Sequence, residues 1–192
     1  SFSMHPLKNL SVYGDGGVIT TNSKEVAEDI KILRNHGLIN RDECIKWGFN
    51  SRLDELQASY ALIKLKYIDE WNRKYNSIAK KYNKHISDKI IKPLYKDGVL
   101  DIYHNYIIRV PINIRDKMMQ SLMDLGIETK IHYPIPLHLQ KCSAHLGYKY
   151  GDIPNAEKFS KSMISLPIYH TLNDDEVEQI INSVNQTINH LL

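Results

Sequence analysis

The chain has 192 residues, 42% of them hydrophobic and 24% charged, with a formal net charge of +3. This is an ordinary globular balance, with enough apolar material for a core. The basic residues form no block, which argues against a nucleic-acid or membrane partner, and no apolar run is long enough to span a bilayer. The opening residues show no leader pattern. Cys44 and Cys142 have no metal-ligand spacing and are too few for a disulfide framework, so they read as reduced thiols of a cytoplasmic protein.

Residues 1–17 hold Pro6, Gly14, Gly16 and Gly17 in a polar stretch and read as a loop. Residues 18–21 are a short β-branched run after glycines, hence a strand. Ser23 is a good N-cap, with Glu25 in the first turn and Val26, Ile30 and Leu33 on one face. A helix is expected from there to about His36, stopped by Gly37. Residues 38–51 read as a loop. From Leu53 to Tyr82 apolar residues recur with a mean spacing of 3.6, which predicts one long or bent helix. Its first half, with Leu62, Leu65 and Ile68 on a second face, is expected to be broadly buried, and its second half amphipathic.

The texture changes near residue 85. Residues 106–111 and 129–133 read as strands. Residues 115–125 read as a helix with Met118, Leu122 and Leu125 inward and Gly126 as its stop. Residues 156–164 are expected to form a short helix after Pro154. Asn173 and Glu176 can form a capping box for a last helix striped by Val177, Ile180, Ile181, Val184, Ile188 and Leu191. Alternation of strands and helices with short connections makes the second part a small α/β domain. Trp47, Phe49, Trp71 and the tyrosines are assigned to core and subunit contact, and the nine histidines show no spacing that suggests a metal site.

The chemistry-bearing segment is the first one. Lys8 lies between a loop bearing Ser3 and His5 and a glycine-rich turn into a strand. Taken alone, such a lysine reads first as a solvated surface residue, and the glycines can be a tight turn and nothing more.

The pattern from Ser1 through His5, Pro6, Lys8 and Asn9 to Gly14-Asp15-Gly16-Gly17 resembles the cofactor-lysine loop of the DegT/DnrJ/StrS family of sugar aminotransferases. The run from Gly48 to Ala58, the segment with Gly126, His132-Tyr133-Pro134 and Pro136-Leu137-His138, and the segment from Asp152 to Pro167 resemble further signatures in the family's order. The resemblance implies an α/β fold: the C-terminal part of a fold-type I enzyme that depends on pyridoxal 5'-phosphate (PLP). Residues 1–84 would be the end of the large domain with its connecting helix, and residues 85–192 the small C-terminal domain. Family members are about twice as long, and the chain starts with Ser1 inside the loop, so it is expected to be part of a longer protein.

The resemblance also implies roles. Lys8 would form the Schiff base with PLP and shuttle the proton, a task that needs an amine able to act as nucleophile, base and acid. Ser3 would bind the cofactor phosphate, and Asn50 the phosphate held by the neighbouring subunit of a homodimer with shared sites. Arg52 reads either as a phosphate or carboxylate partner or as half of a surface ion pair. His132 and Tyr133 would contact the sugar, with His5, Tyr13 and His138 as further pocket candidates. The implied reaction is transamination of a nucleotide-linked keto-deoxy sugar, leaning to carbon 3, with glutamate as amino donor. A lysine at position 8 favours transamination, because a dehydratase relative carries His there. Two alternatives stand beside this: a catalytically incomplete fragment acting in subunit contact, and a PLP-dependent regulator or dehydratase on the same scaffold.

Overall fold

The computed structural model describes residues 1–192, which pack as two units, Ser1–Trp71 and Asn72–Leu192. The first holds two short strands, β1 (Phe2–Ser3) and β2 (Gly17–Val18), and the helices α1 (Lys24–Leu33) and α2 (Glu55–Leu65). Helix α3 (Ile68–His85) carries the junction. The second holds β3 (Tyr106–Arg109), α4 (Arg115–Asp124), two 3-10 turns (Leu137–Leu139 and Lys141–Leu146), α5 (Pro154–Ser162), β4 (Met163–Leu166) and α6 (Asp174–Leu191). Texture in the sequence changes near residue 85, yet packing changes at Trp71. The reason lies in α3, whose Tyr75, Ile78, Ala79 and Tyr82 are all buried in the core of the second unit.

In the first unit, the strand expected over residues 18–21 is only Gly17–Val18, because its antiparallel partner Phe2–Ser3 is two residues long. Ser23 caps α1 as expected, its hydroxyl accepting from the Val26 N–H. The chain then turns through His36 and Gly37, both at positive φ, 62° and 76°. A Cβ on Gly37 would lie 1.6 Å from the Lys46 carbonyl oxygen, so no other residue fits this crossing. The single long helix expected from residue 53 to 82 is two. The Lys66 and Tyr67 N–H groups turn to Ile63 and Lys64, three residues back, and the tightened turn ends α2 before α3 starts.

Very little is buried in this unit: Met4, Val12 and Ala61, with Leu53 against them. Leu56, Leu62, Ile63, Leu65 and Tyr67 are exposed, so the broad burial expected for this stretch is absent within the chain. Trp47 and Phe49, assigned to core or contact, are 97% and 73% exposed. They sit on the loop that α1 and α2 bracket, with nothing of this unit covering them.

The second unit is built conventionally. Strands β3 and β4 pair antiparallel, Tyr106 with Leu166 through Arg109 with Met163. Helices α3, α4 and α6 supply apolar faces to one core that includes Tyr82, Ile108, Met118, Leu122, Ile164, Val184 and Ile188. Burial at about 25 cal/mol per Å² makes such side chains worth roughly 2 kcal/mol each. Two tyrosines keep their hydroxyls satisfied inside it. Tyr82 donates to the Pro167 carbonyl at 2.8 Å and Tyr106 to Asn83 Oδ1 at 2.7 Å, their rings meeting edge to face.

Three expectations change here. Residues 129–133 form no strand: only Lys130 pairs, with Ser165, and Pro134 and Pro167 have no N–H with which to extend the ladder. The helix after Pro154 ends at Ser162, and Met163 and Ile164 belong to β4. Leu125 is the C-cap of α4 and is 39% exposed, whereas Met118 and Leu122 are buried. The last helix matches its reading, with a reciprocal capping box between Asn173 and Glu176 and an inward stripe from Val177 to Ile188.

Candidate active site

The segment around Lys8 is held by accounted backbone groups rather than by regular structure. The Met4 N–H donates to the Gly16 carbonyl at 2.8 Å, and the Met4 carbonyl accepts from Val12 at 2.8 Å. These bonds pull both ends of the loop together over the buried Met4 and Val12 side chains. Gly17 allows the close approach, since a Cβ there would stand 2.8 Å from the Phe2 carbonyl oxygen. Between these anchors the Lys8 N–H closes a turn onto the His5 carbonyl at 2.8 Å. Lys8 itself is half-buried.

Ser3 and His5 lie on the same turn. The Ser3 hydroxyl oxygen accepts from the His5 N–H at 3.4 Å, which leaves its own proton to donate elsewhere. His5 Nδ1 accepts from the Leu7 N–H at 3.2 Å, so this nitrogen is unprotonated. Tyr13 stacks on Tyr60 of α2, ring centroids 4.3 Å apart. A hydrogen bond with the Tyr60 phenol raises its hydroxyl above the usual range for tyrosine.

Lys64 was not singled out in the sequence. Its Nζ donates to Ser11 Oγ at 2.5 Å and lies over the rings of Tyr60 and Trp71, 4.9 and 5.6 Å from their centroids. Burial lowers this ammonium below its ordinary value, with the nearby Tyr13 phenol working in the opposite direction. It ties α2 to the chain just after Lys8. Its place in the helical stripe with Tyr60 and Trp71 was visible, but the link to Ser11 required the fold.

Asn50 stands apart from the Lys8 turn in the sequence and is set by a different device. An isolated antiparallel bridge joins it to Asn35, with Phe49 and Ser51 donating to Leu33 and Arg34 at the end of α1. Its Oδ1 accepts from Arg52 Nε at 2.9 Å, leaving the amide nitrogen as a donor. Arg52 thus has a partner inside the chain that is an amide, not a carboxylate. Asn50, Arg52 and Arg34 line one cavity of about 660 Å³ together with Asp15, Gly16 and Gly17. Arg34 was missed in the sequence because it reads as the end of an amphipathic helix.

His132 and Tyr133 belong to the second unit. His132 Nδ1 is 2.8 Å from Ser165 Oγ, which fixes the ring, and the two rings meet at 82°. Tyr133 is exposed. His138 is buried, and its Nε2 lies 3.1 Å from Glu157 Oε1. Burial acts to raise the Glu157 carboxyl. Hydrogen bonds from the Gly151 N–H, His138 and the Ile153 N–H outweigh it and hold the carboxyl below its usual range. No cluster of three or more His, Cys, Asp or Glu side chains is placed to hold a metal ion, and no helix is long and apolar enough to cross a membrane.

The donor set suits a small molecule that carries both a carbonyl and a phosphate. It comprises the Lys8 amine and the Ser3 hydroxyl on one turn, and the Asn50 amide with the Arg34 and Arg52 guanidinium groups in a cavity whose lining does not include that turn. The sequence pattern of the DegT/DnrJ/EryC1/StrS aminotransferase family matches residues 1–185. The chain belongs to this family.

Among its relatives, a pleiotropic regulatory protein of Geobacillus stearothermophilus is 37% identical over 194 aligned positions, covering 99% of this chain and 52% of the relative. A dTDP-3-amino-3,6-dideoxy-alpha-D-galactopyranose transaminase of Aneurinibacillus thermoaerophilus is 40% identical, covering 89% of this chain and 46% of the relative. Of solved structures, DesV of Streptomyces venezuelae in complex with a ketimine intermediate superposes with a TM-score of 0.92 at 34% identity. The match covers 96% of this chain and 50% of that one. NtdA of Bacillus subtilis with bound cofactor PMP gives a TM-score of 0.86 at 28% identity, over 97% of this chain and 45% of that one. The chain thus spans about half the length of the relatives it matches.

Proposed function

We propose that the intact protein carrying this chain is a PLP-dependent aminotransferase acting on a nucleotide-linked keto-deoxy sugar. The reading includes amination at carbon 3, glutamate as donor, and a homodimer with shared sites. The observation that carries it is the half-buried Lys8, held on a closed turn beside a serine whose proton is available. Bound PLP would supply the electron sink that neither lysine nor serine possesses.

This chain's residues do the rest. Lys8 Nζ would hold the cofactor and, as a free amine, would take a proton from the substrate carbon as base and deliver one as acid to the acceptor carbon. The Ser3 hydroxyl donates to the phosphate, where a neutral donor adds orientation without adding charge. Asn50 donates its amide to the phosphate across the subunit boundary. His132, its ring fixed by Ser165, and Tyr133 contact the sugar, with Tyr13 as a further contact. The transaminase named among the relatives supports the sugar and the carbon 3 assignment. The relative named as a regulator supports a second reading, a PLP-dependent regulator on the same scaffold.

Incubating the intact enzyme with a nucleoside-diphospho-3-keto-6-deoxyhexose and glutamate tests both. Formation of the 3-amino sugar with an equal amount of 2-oxoglutarate is expected. A 4-amino product from the 4-keto isomer alone overturns the carbon assignment. Loss of a hydroxyl without amine incorporation, or no turnover in a well-folded dimer, overturns the aminotransferase reading.

A further inference from the structure

We propose that His5 is a positioning residue for Lys8, its imidazole holding the backbone turn on which the lysine stands; this rests on the reading of Lys8 above. The backbone donors of the turn are few and all are accounted for. The Met4 N–H goes to Gly16, the His5 N–H to Ser3 Oγ, the Leu7 N–H to His5 Nδ1 and the Lys8 N–H to the His5 carbonyl. Residue 6 is proline and has none. Three of these four bonds run through His5, as donor, as side-chain acceptor and as carbonyl acceptor.

The side-chain bond is the one that sequence can change without touching the backbone. An acceptor two bonds beyond Cβ that reaches the N–H two residues on imitates a turn, as Asn and Asp do. Pro6 fixes φ between the two partners, so the imidazole closes a segment with little freedom left. The geometry requires an Nδ1 free to accept, which places the ring proton on Nε2. His5 is exposed, and so the bond competes with water. Removing it is expected to loosen the turn on the order of threefold to tenfold, as for an ordinary exposed hydrogen bond. The bond needs no contact between His5 and the reacting atoms.

Asparagine at this position can accept the same N–H through Oδ1, whereas alanine cannot. The test compares the intact protein with its His5→Asn and His5→Ala variants. The first readout is amide exchange at Leu7 and Lys8 without cofactor. His5→Ala should speed exchange there by about threefold to tenfold, and His5→Asn should stay close to the parent. The second readout is the rate at which added PLP becomes fixed to Lys8 by borohydride. It should fall in His5→Ala and largely recover in His5→Asn. Unchanged exchange in His5→Ala overturns the proposal. So does a His5→Asn variant that protects Leu7 yet captures cofactor as slowly as His5→Ala, since the imidazole would then act chemically. If the cofactor is fixed on another lysine, the reading of Lys8 falls, and the exchange result alone decides whether His5 closes the turn.

Discussion

The two units divide the labour of the chain unequally. Ser1–Trp71 carries the lysine, the serine and the asparagine of the candidate site, yet its buried hydrophobic side chains are only Met4, Val12 and Ala61. Asn72–Leu192 has one continuous core of aromatic and aliphatic side chains from β3, β4, α3, α4 and α6. The contrast teaches that apolar content alone does not make a core. Leu56, Leu62, Ile63 and Leu65 are as apolar as Val177, Ile180 and Val184. The second set meets a sheet and two helices, while the first meets nothing within its unit. An apolar face left uncovered on this scale marks a surface built to meet other protein.

The largest effect that would break this comparison comes from separating the units. Expressed alone, Asn72–Leu192 should melt in a single sharp transition, and Ser1–Trp71 should associate or show no cooperative transition by calorimetry. A sharp melt from Ser1–Trp71 would mean that its exposed side chains are harmless and that the contrast is false.

Single truncations sharpen the same point. Leu122→Ala empties a site with no solvent exposure and should cost about 2–5 kcal/mol in denaturant unfolding of the second unit. Leu62→Ala, on the uncovered face, should change the stability of this chain by less than about 0.5 kcal/mol. On the proposal that the intact assembly covers that face, Leu62→Ala should cost more there. An equal cost in both settings would show that the face is never covered.

The smallest effect concerns Glu157. Its carboxyl is held below the usual range in the folded state, so the stability it contributes is present above the ordinary carboxylate value, about 4.3. That stability is lost as pH falls through the folded value. The second unit should therefore lose melting temperature on acidification below the ordinary range. Glu157→Gln should be less stable at neutral pH and lose less on acidification. Parallel melting curves against pH for the two proteins would remove Glu157 from the account.

Legibility in the sequence follows range. The Ser23 cap and the Asn173–Glu176 box depend on residues three apart, and both stand where they were read. The family pattern around Lys8 is likewise local, and the glycines of its turn are needed for the approach of Phe2 to Gly17. What depends on distant partners was not legible. The strand expected over residues 129–133 shrank to one bridge because Pro134 and Pro167 bound the ladder on its two sides. The contact of His138 with Glu157, 19 residues on, is likewise made only in the fold. Lys64 meets Ser11 across 53 residues of chain, and no spacing rule announces such a pair.

The most direct test of the account is to fix added PLP onto the intact protein with borohydride and map the labelled peptide. Two of the half-buried lysines of the first unit are the main rivals for the label: Lys8 on its closed turn, and Lys64, whose ammonium is lowered by burial. The account predicts a single labelled site at Lys8, with the visible absorption of the bound cofactor lost in Lys8→Ala and kept in Lys64→Met. Label on Lys64, or a band that survives Lys8→Ala, would contradict it.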